Sequence, residues 1–230
     1  MKPARAIVTR SPHRNVGVVH APHIQGAPID WESFRERSFI RLALTCTAIA
    51  HIQHQPFQIH YVDAEGQTRK HTPDFLVTLR SGTRVVVEIK TTPYIPEHQE
   101  KFDRSAAQMR DKGGWYYVVT EKELNTEREE RAEIWRRYAR APAPADQIER
   151  ALQLVRENQG GQTGAQLSAA GVSLQTMYHL LGRRVLTVGR DLLLKDTTTL
   201  NFPEKEQDDR LQFDRWFGCA PWESDLSAGT

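Results

Sequence analysis

The sequence predicts an α/β protein: a central mixed sheet flanked by helices, followed by a small, mostly helical domain. Three features carry that expectation. Leu76-Val77-Thr78-Leu79 and Val85-Val86-Val87 are short apolar runs separated by Arg80-Ser81-Gly82-Thr83-Arg84, the pattern of a β-hairpin around a glycine turn. Trp115-Tyr116-Tyr117-Val118-Val119 reads as a buried strand that a helical crossover sets parallel to the second hairpin strand. Ala141-Pro142-Ala143-Pro144-Ala145 is a stiff linker, beyond which the apolar periodicity is helical and the segments are short.

Taken in order, the chain reads as five segments. Residues 1–29, rich in Pro, His, Gly and Arg, lack periodicity and are expected as an extended arm. Arg10, His13 and Arg14 make that arm either a surface strap or a DNA contact. Residues 30–140 form the main domain. Asp30 is a plausible N-cap for a helix carrying Trp31, Phe34, Ile40, Leu42 and Leu44, and Glu32 and Glu36 would then share a helix face. Gln58 to Val62 alternates as a strand, with Asp63-Ala64-Glu65-Gly66 as a turn. Pro96 opens a helix to about Asp111 with Phe102, Ala106 and Met109 on its apolar side, and Gly113-Gly114 stops it. Thr126 to Arg140 is a charged helix packed through Ile134, Trp135 and Tyr138.

Residues 141–146 are the linker and 147–202 a winged-helix-like domain. Ile148, Leu152 and Val155 mark its first helix, Thr163 caps a second, and Ser173 caps a third. Val185 to Val188 and Leu192 to Leu194 follow as a short hairpin. The third helix ends in Tyr178, His179, Arg183 and Arg184, placed to contact either DNA or a protein partner. Residues 203–230 are an acidic tail containing Phe213, Trp216, Phe217 and Trp222. Such a tail reads either as a docking segment or as aromatics that pack back on the chain.

Composition excludes several classes. Cys46 and Cys219 are too few and too distant for a disulfide framework or a zinc site, and Cys46 lies in an apolar stretch. The histidines His51, His54, His60 and His71 lack the paired spacing of a zinc ligand set. No apolar run is long enough to cross a membrane and no signal-peptide core opens the chain, so a soluble, cytoplasmic protein without a membrane partner is expected. Net charge is only +2, but residues 204–230 hold 3 Lys/Arg against 7 Asp/Glu and leave the body mildly basic.

The chemistry concentrates at His71-Thr72-Pro73-Asp74-Phe75 and Glu88-Ile89-Lys90. Hairpin pairing brings Asp74, at the start of one strand, to Glu88 and Lys90 at the end of the other. Residues two apart share a strand face, so Glu88 and Lys90 project together while Ile89 points into the core. Two carboxylates and an amine suit metal-assisted phosphodiester hydrolysis, because Mg²⁺ takes oxygen ligands and keeps waters. A nearby lysine can position or deprotonate the attacking water and offset developing charge. A helical carboxylate from the preceding helix is a natural further ligand. Lys101 and Arg104 on the later helix read as phosphate contacts or, in preference, as a solvated face.

Glu32-Ser33-x-x-Glu36-Arg37, Gln55-Pro56, Thr72-Pro73-Asp74-Phe75 and Glu88-Ile89-Lys90, in that order, resemble the N-terminal catalytic domain of the TnsA family over about residues 28–125. These proteins are the endonuclease subunits of heteromeric cut-and-paste transposases. The resemblance implies a restriction-endonuclease-like, PD-(D/E)xK fold for residues 30–140. It implies Glu36, Asp74 and Glu88 as ligands of Mg²⁺, with Mn²⁺ as substitute, and Lys90 as the catalytic lysine. Glu88 fills a position that some members occupy with Gln. Gln55 matches a position near the site whose role stays open, and Glu32 is the alternative to Glu36 if the helix register shifts. The resemblance further implies double-stranded DNA at transposon ends as substrate, a DDE-type transposase and an AAA+ ATPase regulator as partners, and action at the bacterial nucleoid. A stand-alone restriction or repair nuclease of the same fold, or an inactive DNA-binding adaptor, are the alternative readings.

Overall fold

The computed structural model describes residues 15–203 and 208–223. It divides into two compact units, one of Met1–Ile40, Ala48–Asn125 and Asp208–Thr230, the other of Arg41–Thr47 and Thr126–Gln207. The division therefore falls at Asn125 and not at the Pro/Ala stretch, and the charged helix from Thr126 belongs to the second unit. The tail joins the first.

In the first unit the elements run β1 (Gly17–Val19), β2 (Ile29–Trp31), α1 (Phe34–Ala43), β3 (Ile49–His54), β4 (Ile59–Val62), β5 (Thr68–His71), β6 (Phe75–Leu79), β7 (Arg84–Ile89), α2 (Gln99–Asp111) and β8 (Trp115–Val119). The main sheet has the order β3-β6-β7-β8. β3 and β7 flank β6 antiparallel, and β8 lies parallel to β7, as the crossover through α2 requires. β4 and β5 form a separate hairpin, closed by the turn that Asp63 organises through its bond from the Gln67 amide. Strand alternation sorts the residues by face. Leu76, Val86 and Tyr116 pack with Phe102, Ala106 and Met109 of α2, and Phe75 meets Phe39 of α1 at 5.1 Å.

Three expectations change here. Residues 15–29 are not an unpacked arm: β1 pairs with β2 in the register Gly17↔Trp31, and Val19, Ala21 and Ile29 are buried. Arg10, His13 and Arg14 lie outside the described residues. The strand β2 takes up Asp30, so α1 starts later, at Phe34, and Ser33 serves as its cap by accepting the Glu36 amide at 3.1 Å. Glu32 consequently precedes the helix and does not share a face with Glu36.

The second unit contains α3 (Thr126–Arg140), α4 (Ala145–Glu157), β9 (Gln162–Thr163), α5 (Gly164–Ala169), α6 (Leu174–Gly182) and β10 (Thr199–Leu200). Thr163 and Ser173 cap α5 and α6 as the sequence indicates. The expected hairpin is absent. β10 pairs with β9, and Thr187 bridges Asn201, so the chain beyond Leu186 returns to the segment before α5. Gly182 is required by packing, since a Cβ there would lie 2.2 Å from the Trp135 carbonyl oxygen of α3. That close approach also consumes the end of α6. Tyr178 stacks on Tyr138, His179 Nδ1 donates toward the Ala141 carbonyl at 2.9 Å, and Arg184 donates to the Cys46 carbonyl. Of the four residues expected to reach a partner, Arg183 is exposed. On α3, Trp135 is buried while Ile134 faces outward.

The last helix, α7 (Asp209–Phe217), belongs to the first unit. Phe213 and Phe217 are fully buried, Phe217 stacking on Phe39 at 5.2 Å and Phe213 meeting Tyr117 edge-on at 5.1 Å. The Tyr117 hydroxyl bonds Asp214, and burial followed by that bond pushes the phenol pKa well above its ordinary range. Trp222 meets Phe102 edge-on and donates to Asp103 at 2.8 Å. Phe213, Phe217 and Trp222 thus pack on the chain's own first unit, as the self-packing alternative expects. Among the described residues no helix is long and apolar enough to cross a membrane. Phe217→Ala should destabilise the protein by about 3 kcal/mol or more, as truncation of a buried phenylalanine does. Urea denaturation measures it, and a loss below about 1 kcal/mol would show that α7 is not part of the folded unit.

Candidate active site

The site is built where β6 begins and β7 ends. Antiparallel pairing sets Phe75 opposite Val87, which places Asp74 beside Glu88. Asp74 is fixed twice: its carbonyl accepts from the Gln55 amide at 2.8 Å, and its Oδ2 accepts from the Ile89 amide at 2.7 Å. Gln55 achieves that contact with φ at +45°, the left-handed region that a non-glycine residue avoids, and it is buried directly before Pro56. Such a conformation costs about 1–3 kcal/mol and persists only where the surroundings enforce it.

Glu36 enters from the N-terminal turn of α1. Its Oε1 accepts from the Ser33 hydroxyl and its Oε2 from the Glu32 amide, so the same Ser-x-x-Glu spacing that caps the helix orients the carboxylate. His54 Nε2, on β3, lies 3.3 Å from Glu36 Oε2. Glu88 is 6% exposed and is contacted on both oxygens: Oε1 by Lys101 Nζ of α2 at 2.9 Å, Oε2 by His71 Nε2 of β5 at 3.2 Å. His71 Nε2 is also 3.1 Å from the Tyr116 hydroxyl. Lys90 follows β7, its amide bonded to the Val119 carbonyl at 3.0 Å. Its side chain enters no hydrogen bond or ion pair among the described residues and is half-buried. Ile89, expected in the core, is only partly covered, because β7 ends there.

The electrostatics follow from this crowding. Burial pushes the Asp74 carboxyl well above the usual range, and the charges of Glu88 and then Glu36 push it further, against the Ile89 amide and Lys101. Burial alone would raise Glu88 too, but the contacts from His71 and Lys101 outweigh it and the net direction is down. Burial, then Glu88 and Asp74, hold the Tyr116 phenol well above its ordinary value, so it stays protonated beside His71. His98, on the turn before α2, is lowered by burial and then by the charges of Lys101 and Lys90.

Asp74 is thus within electrostatic reach of both Glu88 and Glu36, Lys90 follows Glu88 by two residues where β7 ends, and Glu32 precedes the helix. Gln55 touches the site through its backbone. Three contributors were not assigned to the carboxylate site from the sequence: His71 and His54, weighed there as zinc ligands, and Lys101, weighed as a phosphate contact or solvated face. His71 was accessible in principle, since it lies three residues before Asp74 at a strand end. Lys101 had no local signal. Among the described residues no group of three or more His, Cys, Asp or Glu is preassembled to hold a metal ion, because Glu36 is turned to its cap and Glu88 to Lys101 and His71. The donors are nevertheless all carboxylate oxygens. His54 Nε2 faces Glu36, while its Nδ1 is buried without a hydrogen-bond partner among the described residues, a polar surplus next to Glu36.

Burial, and after it the charges of Glu88 and Glu36, make Asp74 costly to ionise, so the folded protein binds its proton more tightly than the unfolded chain does. Stability contributed by that proton is present at low pH and is lost as pH rises above the unfolded carboxyl pKa of about 3.9. Asp74→Asn should therefore be more stable than wild type at pH 8 without divalent ions, with the difference closing toward pH 4. Thermal unfolding across that range measures it, and an equal or lower Tm for the variant at pH 8 would contradict a buried, like-charge-crowded Asp74.

No curated protein matches the chain. A family model described as the TnsA-like endonuclease N-terminal domain matches residues 46–121, a span that holds Gln55, His71, Asp74, Glu88, Lys90 and Lys101 and leaves Glu36 outside. The match covers less than half of the 230 residues and supports a TnsA-like nuclease, related to transposition, for the unit in which this site is built.

Proposed function

We propose that the chain is a metal-dependent DNA endonuclease that cuts at transposon ends as the TnsA-like subunit of a heteromeric transposase. The observation that carries the reading is the approach of Glu88 and Glu36 to Asp74, with Asp74, Glu88 and Lys90 inside the family-matched segment. Three carboxylates held against their mutual repulsion fit a cationic guest. Asp74, Glu88 and Glu36 would hold Mg²⁺, or Mn²⁺ in its place. Such an ion polarises a phosphate oxygen and favours ionisation of a bound water.

The protein's own groups do the rest. The Ile89 amide fixes the rotamer of Asp74, and His71, backed by the Tyr116 hydroxyl, fixes one edge of Glu88. Lys90, uncommitted among the described residues, supplies a positive charge that orients the water and offsets charge building on the phosphoryl oxygens. Double-stranded DNA at transposon ends is the substrate in this reading. A DDE-type transposase and an AAA+ ATPase regulator are the partners that select the site, because the mild positive charge of the body favours weak, sequence-indifferent DNA binding.

Lys90→Ala should retain the fold and duplex affinity yet lose strand cleavage by about 10²-fold or more, since its contribution lies in the transition state. Asp74→Ala should lose cleavage as well. Nicking assays with Mg²⁺, alongside duplex binding in Ca²⁺, separate the two effects, and a Lys90→Ala protein that cuts at the wild-type rate would refute the assignment. Efficient cutting at a defined transposon end by the purified chain alone would instead move it to the stand-alone nucleases.

A further inference from the structure

The acidic site carries a second lysine that the proposed chemistry does not use. Lys101 lies on α2 directly before Phe102, whose ring packs with Val86 and Tyr116 on the strand face that Glu88 shares. Its Nζ is 2.9 Å from Glu88 Oε1 and 4.7 Å from the centroid of the Phe102 ring, and its side chain is 18% exposed. This is a held ammonium rather than a solvated one: an aromatic ring lies beneath it and a packed helix fixes its backbone. The other oxygen of Glu88 faces His71. An ion that is to use Glu88 must therefore compete with a cation already in place.

We infer that Lys101 is a built-in counter-ion, which occupies Glu88 in the metal-free protein and competes with the divalent ion for that carboxylate. The inference rests on the metal-nuclease reading above and deepens it. The contact explains why the three carboxylates are close without being preassembled as a ligand cluster: Glu88 is aimed at Lys101. No covalent change is involved; the ammonium exchanges one carboxylate contact for solvent or for the substrate phosphate. Removing its charge should move two observables in opposite directions. Metal-free stability falls, because Glu88 stays buried with less compensation. Ion affinity rises, because the carboxylates lose a neighbouring positive charge. A lysine with only a structural role would lower both.

The full chain is titrated with Mn²⁺ by calorimetry, with thermal unfolding followed with and without the ion, for wild type, Lys101→Met, Lys101→Arg and Asp74→Ala. Lys101→Met should bind Mn²⁺ about tenfold tighter than wild type and show a larger ion-induced rise in Tm. Lys101→Arg, which keeps the charge, should resemble wild type, and Asp74→Ala should lose binding. Lys101→Gln, which keeps a donor for Glu88 without the charge, carries the same expectation if the Met variant does not fold. Asp74-dependent binding in wild type with equal or weaker binding by both neutral variants overturns the counter-ion role and leaves the nuclease reading standing. Absence of Asp74-dependent binding in every protein overturns the nuclease reading, and this inference with it.

Discussion

Everything at this site depends on one constraint: antiparallel pairing of two short strands forces Asp74 and Glu88 together at the open end of the hairpin. The pairing is enforced elsewhere, by Val77, Val85 and Val87 on one face and Leu76 and Val86 on the other, all buried. Burial of those side chains supplies a driving force proportional to the apolar area removed from water. The two carboxylates are carried along at the strand ends, where neither can move away without breaking the ladder. A third carboxylate, Glu36, is brought up by the cap of α1. The sheet thus sustains an electrostatic conflict that isolated carboxylates in water would relieve by separating.

The protein tempers that conflict without removing it. Lys101 and His71 settle Glu88, the Ile89 amide settles one oxygen of Asp74, and the Ser33 hydroxyl and Glu32 amide settle Glu36. Each carboxylate keeps a separate local partner, so the cluster is stable but strained toward any cation that reaches all three. The twisted backbone at Gln55 belongs to the same pattern, since it delivers an amide to the Asp74 carbonyl from a conformation that only the surrounding sheet can hold. Lys90 stands out by contrast among the charged groups of this site, since its side chain enters no hydrogen bond or ion pair among the described residues.

The sequence made the hairpin and its carboxylates legible because both are local: alternation, a glycine turn and the spacing from Asp74 to Lys90 fix register over a few residues. The start of α1 was misread at Asp30 because pairing of β2 with β1 depends on a segment that shows no periodicity of its own. Ser33 and Glu36 held the better signal, a capping pair three residues apart. The tail was ambiguous for a different reason. Aromatics spaced like Phe213 and Phe217 suit a partner's groove and the chain's own core equally, and the choice was made by Phe39 and Tyr117, remote in sequence. Two-residue strands such as β9 and β10 leave no period to detect, so the pairing around Thr187 was invisible. Lys101 was read as a surface residue because only the packing of α2 turns it toward Glu88.

The central claim is that these three carboxylates form one cation site. The most direct measurement is anomalous diffraction at the manganese absorption edge from crystals of the protein soaked in Mn²⁺. The account predicts a peak within coordinating distance of carboxylate oxygens from Asp74, Glu88 and Glu36, with Lys101 Nζ displaced from Glu88. A peak elsewhere on the molecule, with the Lys101–Glu88 contact intact at full Mn²⁺ occupancy, would contradict it.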